Sequence, residues 1–249
     1  MVVIMSNVVD FVIFCYSGDA PMLHQPGQFE KQVNRNDLNF DNLIIVYQNC
    51  EPKNYNQIPI EHSYYKITTD DFDDILNQVG IDVNKKQYRS DIDTHHTWKN
   101  HVINHVTGAL ASEAEYIVFA DADCWIKEQK SSWVEKGIEL LRRHPELFII
   151  SPGDGEGERS TQIFSQQMFL VNRNDFLSMD FNQPGFSGNV RDYREMPEYH
   201  GMLEGRMSWY CKSVNRWRFV LSDRYRYWHH NRTKTIDGQK YFEDDYSKW

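Results

Sequence analysis

The chain reads as an α/β domain: a mostly parallel central sheet flanked by helices. Short apolar runs of strand length alternate with longer stretches of helical period, the pattern of a parallel sheet covered on both faces. One apolar run, Tyr116-Ile117-Val118-Phe119, ends abruptly in Ala120-Asp121-Ala122-Asp123, and acids at that point face the crevice where open α/β sheets take their ligands. The third observation is size: 249 residues, 40% of them hydrophobic and 25% charged, suffice for one domain with a sizeable core.

The elements follow in order. Met1 to Tyr16 is apolar but lacks a basic flank and a small-residue cleavage pattern and carries Asp10. It is therefore a first strand, Val9–Cys15, rather than a signal peptide. A helix is predicted around Gln28–Arg35, a second strand at Leu43–Gln48 and a short third at Tyr64–Ile67. Asp70-Asp71-Phe72-Asp73-Asp74 opens a helix over Phe72–Val79, where acids complement the helix dipole. A long helical pattern, Ser90–Ser112, leads into the strand Tyr116–Phe119. Ser131–His144 is helical and stops at His144-Pro145, since the residue before a proline avoids helical geometry; Leu147–Ser151 is the next strand. Two glycine-rich loops, 152–158 and 183–189, punctuate the second half, and neither has the spacing of a P-loop or a dinucleotide fingerprint. That argues against an ATPase or an NAD enzyme. Arg216, Arg218, Arg224, Arg226 and Arg232 offer a locally basic patch, but their alternation with Trp217, Phe219, Tyr225 and Tyr227 reads rather as amphipathic strands with a solvated face. The tail from Ile236 to Trp249 reads as a lid or a packed helix.

Composition excludes several classes. A formal net charge of −9 is wrong for a general nucleic-acid binder, whose phosphate contacts call for a basic surface. Four cysteines, Cys15, Cys50, Cys124 and Cys211, form no CxxC pair and read as reduced thiols, with Cys15 and Cys124 acting as small buried hydrophobes at strand ends. No apolar run of membrane-spanning length exists, so the expected location is cytoplasmic, compatible with peripheral association with a membrane. His101 and His105 stand four apart on one helical face, but no HExxH pattern accompanies them, and with His95 and His96 they read as a polar helix face.

Asp121 and Asp123 carry the chemistry. Residues two apart in an extended chain project to the same side, so both carboxylates can address one ion. Hard divalent cations such as Mg²⁺ or Mn²⁺ bridge carboxylates to substrate phosphates, which points to a diphosphate substrate; a solvated acidic turn is the alternative. The wider segment from Lys99 to Trp125 resembles the core of nucleotide-sugar glycosyltransferases of the GT-A fold, family 2-like, in which a DxD motif follows such a strand. The preceding helix, with Lys99-Asn100-His101-Val102-Ile103-Asn104 and then Ala109-Leu110-Ala111, is similar too. So is Gln166 to Phe176, which resembles the family's strand and turn on the acceptor side, and loose similarity runs from about residue 8 to 232.

The resemblance implies a single GT-A, Rossmann-like domain over 1–249: a nucleotide-sugar-binding half to about 125, an acceptor-binding half over about 126–235 and a C-terminal tail over 236–249. It implies that Tyr16 and Ser17, in the turn after strand one, hold base and ribose, Tyr16 either stacking on the base or packing on the sheet rim. Asp70 is the family's acid near the base, or simply a helix N-terminal acid. Lys99, Asn104 and Asp121 address the donor, with Lys99 either a point charge toward the diphosphate or part of a solvated helix face. The metal ligands implied are Asp121, Asp123 and a late histidine from His229-His230-Asn231-Arg232, with His229 preferred, and the ion is Mn²⁺ or Mg²⁺. Glu204 is the candidate base, although Gly205 replaces the second acid of the family's pair, and Glu195 and Glu198 are substitutes. The expected function is metal-dependent transfer of a sugar from a nucleotide diphosphate sugar, a UDP-sugar, to a hydroxyl of a glycan, lipid-linked or protein acceptor. Two other classes stand beside it. A sugar-1-phosphate nucleotidyltransferase would need a glycine-rich basic loop after strand one, which is missing; a non-catalytic nucleotide-sugar- or glycan-binding module would tolerate Gly205.

Overall fold

The computed structural model describes residues 8–16, 40–51, 61–83, 95–122, 124–126, 132–153, 158–162, 164–181, 203–222, 225, 227–229, 233–236 and 239–242, with 95–101, 125–126, 227–229, 233–236 and 239–242 described by backbone alone. The helix expected at Gln28–Arg35 and the site candidates Ser17, Asp123, Glu195, Glu198 and His230 lie outside these residues.

Strands β1 (Val9–Tyr16), β2 (Asn42–Gln48), β3 (His62–Ile67) and β4 (Tyr116–Asp121) alternate with helices α1 (Phe72–Gln78) and α2 (His95–Ala111). After β4 come β5 (Cys124–Ile126), α3 (Trp133–Arg143), β6 (Leu147–Ser151), β7 (Arg159–Thr161), β8 (Met168–Asn172), α4 (Arg173–Leu177), α5 (Leu203–Ser213) and β9 (Trp217–Val220). Eight strands form one sheet in the order β3-β2-β1-β4-β8-β6-β9-β7. β2, β3 and β4 run parallel to β1, and β6 and β9 share that direction; β8 and β7 oppose it. The sheet is thus mostly parallel, as expected. Two small antiparallel pairs complete the described set, β10 (Tyr227–His229) on β5 and β11 (Thr233–Ile236) on β12 (Gln239–Phe242). The last pair puts strand where the tail was expected to form a lid or helix.

Alternation along the central strands sorts their side chains onto two faces. Val12, Phe14, Ile44, Val46, Ile117 and Phe119 pack with Val102, Ile103, Val106 and Ala109 of α2 and Phe72 and Leu76 of α1. Phe11, Ile13, Cys15, Leu43, Ile45, Tyr47, Val118 and Ala120 pack with Trp133, Val134 and Ile138 of α3. Burial on both faces is why these strands read as continuous apolar runs, and each such side chain is worth about 1.5–3 kcal/mol of transfer free energy. The one acid inside the first strand, Asp10, is buried but accepts hydrogen bonds from Ser112 Oγ (2.7 Å) and Asn42 Nδ2 (2.9 Å), so its oxygens are not left unpaired. Helix α3 starts where expected because Ser132 caps it, its Oγ accepting from the Glu135 N–H (3.3 Å). Asn172 caps α4 in the same way.

The arginine face expected on the late strand is not solvated. Arg218 is buried at 5% exposure, and its Nε donates to Ser151 Oγ (2.9 Å). Arg216 Nη2 donates to the Leu147 carbonyl and to Asp175 Oδ2, both at 2.7 Å, with its guanidinium over the Phe148 ring. The strand lies inside the sheet between β6 and β7, and protein groups rather than water meet these two guanidinium groups. All four cysteines are buried, and burial pushes the Cys211 thiol far above its ordinary range.

Candidate functional site at the carboxyl edge of the sheet

The chain leaves β1 toward β2 on one side and returns from β3 to β4 on the other, so strand order reverses between β1 and β4. That reversal opens the crevice where doubly wound sheets bind ligands, outside the carboxyl ends of the strands. Tyr16 ends β1 and Asp121 ends β4, so the two residues flank it; Phe14 stands directly opposite Asp121, and Tyr16 opposite Gln48, the last residue of β2. Strand alternation places Tyr16, Gln48 and Asp121 on the face covered by α2.

α2 runs antiparallel to β1 and lays its N-terminal half over this edge. Gly108 allows the crossing: a Cβ there would lie 2.5 Å from Val12 Cγ1. One turn earlier Asn104, 1% exposed, donates through Nδ2 to Tyr16 Oη and to Gln48 Oε1, both at 2.8 Å. Lys99 lies five residues further toward the helix N-terminus, about 7–8 Å along the axis and so beyond the sheet edge. His105 departs from the polar helix face expected for it. It is buried, its ring packs on Phe14, Phe119 and Phe169, and its Nε2 lies 3.4 Å from the Gln166 carbonyl.

The turn that carries the acids is anchored on both sides. The Asp121 N–H donates to the Gln167 carbonyl (2.9 Å) and the Ala122 N–H to the Phe14 carbonyl (3.2 Å), while Cys124 Sγ donates to the same Gln167 carbonyl (3.3 Å). Asp121 itself is half-buried. β10 pairs with β5 so that His229 stands opposite Cys124 and Trp228 opposite Trp125, which brings the backbone of the late histidine beside the DxD turn. Among the described residues no group of three His, Cys, Asp or Glu side chains forms a metal cluster; Asp123 is outside them and His229 is described by backbone alone.

Glu204, at the start of α5, is half-buried, and its Oε1 accepts the Gln166 N–H (2.9 Å). The Gln166-Gln167 segment therefore ties the Glu204 carboxylate and the Asp121 turn to neighbouring peptide groups. Asp70 is exposed in the 3₁₀ turn Thr69–Asp71. Its neighbour Asp71 receives the Thr68 N–H (2.7 Å) and hydroxyl (2.8 Å), and the Thr69 N–H reaches back to Asn49 Oδ1 (3.0 Å), in the turn after β2. Asp70 follows β3, three strand spacings or about 14 Å from β4, so it sits at the far end of the edge from Asp121 and cannot share an ion with it.

The structure thus brings together Tyr16, Asn104 and Asp121, ties Glu204 to the Asp121 turn, and sets Asp70 apart. Sequence reading missed Gln48 and the Gln166-Gln167 backbone. Gln48 did leave a signal, being the one polar residue that closes the otherwise apolar run Leu43–Tyr47; a backbone carbonyl leaves none.

An eight-stranded mixed sheet flanked by helices, with its reversal point between β1 and β4, makes this a mixed α/β domain. Among solved structures the chain is similar to the apo form of mouse xyloside xylosyltransferase 1, at 13% identity over 83% of this chain and 82% of that one, with a TM-score of 0.47. No family model matches the sequence, and no curated protein does.

Proposed function

We propose that the chain is a metal-dependent glycosyltransferase that moves a sugar from a nucleotide diphosphate sugar, a UDP-sugar, to a hydroxyl of a glycan or other acceptor. The observation that carries the reading is the convergence at one reversal point: Asp121 and Tyr16 flank the crevice, and β10 brings His229 to the strand that follows the DxD turn. Two carboxylates and an imidazole form a donor set suited to Mn²⁺, and the half-buried Asp121, its backbone fixed by the Gln167 carbonyl, fits such a ligand. Asp121, Asp123 and His229 would hold the ion, which supplies charge neutralisation to the departing nucleoside diphosphate. Tyr16, Ser17 and Asp70 would serve the nucleoside in this reading, and Lys99 the diphosphate. In an inverting transfer the acceptor oxygen bonds to the anomeric carbon as the bond to the diphosphate oxygen breaks, and Glu204 receives the acceptor proton. The Gln166 N–H holds that carboxylate by one oxygen.

The test is a thermal-shift panel of UDP-, GDP-, CMP- and dTDP-sugars with and without Mn²⁺, because a ligand bound to the folded state alone raises its melting temperature. Stabilisation by one nucleotide class, dependent on Mn²⁺ and lost in Asp121→Asn, is expected. No shift with any donor in either condition overturns the reading. A non-catalytic binding module is the second reading, favoured by Gly205 beside Glu204. Slow release of nucleoside diphosphate from the bound donor separates them, since a binding module releases none.

A further inference from the structure

We propose that Asn104 and Gln48 are positioning residues that fix the Tyr16 phenol as one wall of the donor's nucleoside pocket, an inference that rests on the transferase reading above. A side-chain amide carries two N–H groups. Both of Asn104's are committed, one to Tyr16 Oη and one to Gln48 Oε1, each at 2.8 Å. The two acceptors come from residues directly opposite each other on adjacent parallel strands, so the sheet's own register sets the distance that the amide spans. Asn104 is held in turn: it is 1% exposed, on a helix that packs closely on β1 where Gly108 meets Val12.

The bracket acts on a side chain that reaches the crevice, whereas its own members do not. Asn104 and Gln48 are both buried, and Tyr16 is half-exposed at the reversal point. A phenol at a strand end swings freely about two side-chain torsions. Pinning its oxygen removes that freedom, so the ordering cost is met before a ligand arrives, which is how preorganisation raises affinity. The hydroxyl accepts the Asn104 N–H, which turns its own hydrogen away from the amide. Asn104 Oδ1 is buried with no partner among the described residues, an arrangement retained at a cost where a side chain serves a site rather than the core. Asn104 thereby acts on the donor through Tyr16 rather than by touching it.

The experiment is titration calorimetry in Mn²⁺ with the nucleoside diphosphate, from UDP, GDP, CDP and dTDP, that binds the wild type most tightly, and with inorganic pyrophosphate as a probe lacking the nucleoside. Tyr16→Phe keeps the ring and removes the anchored oxygen; Asn104→Leu removes the bracket. Each is expected to weaken the nucleoside diphosphate about 5- to 10-fold, the scale of one net hydrogen bond, while pyrophosphate changes less than about 2-fold. The double variant should be no weaker than the weaker single one, because both changes cut the same contact. Tyr16→Phe alters one oxygen of a half-exposed residue and keeps the test open if Asn104→Leu fails to fold. Unchanged nucleotide affinity in Tyr16→Phe, losses that multiply in the double variant, or an equal loss for pyrophosphate would each overturn the bracket while leaving the transferase reading intact. A wild type that binds no nucleotide overturns both.

Discussion

Strands β1 to β4 all run parallel, and β1, β2 and β4 bury hydrocarbon on both faces, whereas β6 to β9 mix directions, β7 and β8 opposing β6 and β9, and bury arginine. In the first group the polar residues of the candidate site close β1, β2 and β4: Tyr16, Gln48 and Asp121 each terminate an apolar run, Gln48 buried and Tyr16 and Asp121 half-exposed. In the second, charge is part of the packing. Arg206 on α5 is fully buried, and Arg218 and Arg216 are fixed through Ser151 and Asp175, residues distant in the chain. The first half therefore places its candidate site by strand register and one buried amide, and the second packs its charges through side-chain bonds that must each be satisfied. A substitution at the first edge should cost function with little stability; one in the second half risks both.

Asp121→Asn is the sharpest test of that contrast. Asparagine is nearly isosteric, and the backbone bonds of the turn do not involve the carboxylate. If Asp121 holds the ion, transfer should fall at least about 10³-fold, the equivalent of several kcal/mol of charge stabilisation, with the melting temperature of the ligand-free protein within about 2 °C of wild type. A full-speed variant would remove Asp121 from the chemistry and leave the DxD turn an ordinary acidic one.

Glu204→Gln probes the second half. A glutamine carbonyl still accepts the Gln166 N–H, so the link to the Asp121 turn survives while the proton acceptor is lost. A loss of about 10²-fold in turnover with donor affinity retained is expected of a positioned base. A near-wild-type rate would make Glu204 a strut for the Gln166-Gln167 segment and move the base elsewhere.

How much of this was legible in the sequence follows the same division. The parallel strands and α2 could be read because burial on two faces leaves long apolar runs and a helix leaves its own period. Leu147–Ser151 matched to the residue and β2 to within one. The late strand was found, but its arginines were assigned to solvent, since alternation of Arg with Trp and Phe looks the same whether the partner of the guanidinium is water or a serine that lies 67 residues away. His105 was misread for a similar reason: nothing local announces that Phe14, Phe119 and Phe169 converge on that turn of helix. Asp121 was legible because a carboxylate closing an apolar strand contradicts its context, and the Asn104–Gln48 pairing was not, because it depends on three segments meeting.

Helix–sheet contact offers a milder comparison. A Cβ on Gly108 of α2 would meet Val12 Cγ1 at 2.5 Å, and one on Gly137 of α3 would meet Leu170 Cδ2 at 2.6 Å. The distances are alike, but the neighbours differ. Valine is β-branched and stiff about χ1 on a central strand, whereas a leucine methyl lies at the far end of a side chain that can turn. Each Gly→Ala change also gains up to about 1 kcal/mol of helix propensity. Gly137→Ala should therefore come out near neutral, and Gly108→Ala should cost about 1–2 kcal/mol net, the toll of overpacking less the propensity gain. Denaturant midpoints at equal m-value decide it, and equal midpoints would mean that Val12 yields as easily as Leu170. If α2 is displaced in Gly108→Ala, nucleotide affinity should drop with it, since Asn104 rides on the same helix.

The smallest effect belongs to the rim of the first half, where Asp71 closes the turn after β3. Hydrogen bonds from the Thr68 N–H and hydroxyl hold its carboxyl below the ordinary range, and the group is fully exposed. A carboxylate whose pKa is lowered by folding stabilises the folded state above its unfolded pKa of about 4, and that contribution is lost as the pH falls through the lowered folded value. The melting-temperature gap between wild type and Asp71→Ala should accordingly be present at pH 7, hold down to about pH 4, and close below it. Loss of Asp70, in the same turn, should register in nucleotide affinity instead. A gap for Asp71→Ala that widened on acidification would have the wrong sign for a carboxylate held by those two donors, and would show that Thr68 and Asp71 are not bonded in solution as they are here.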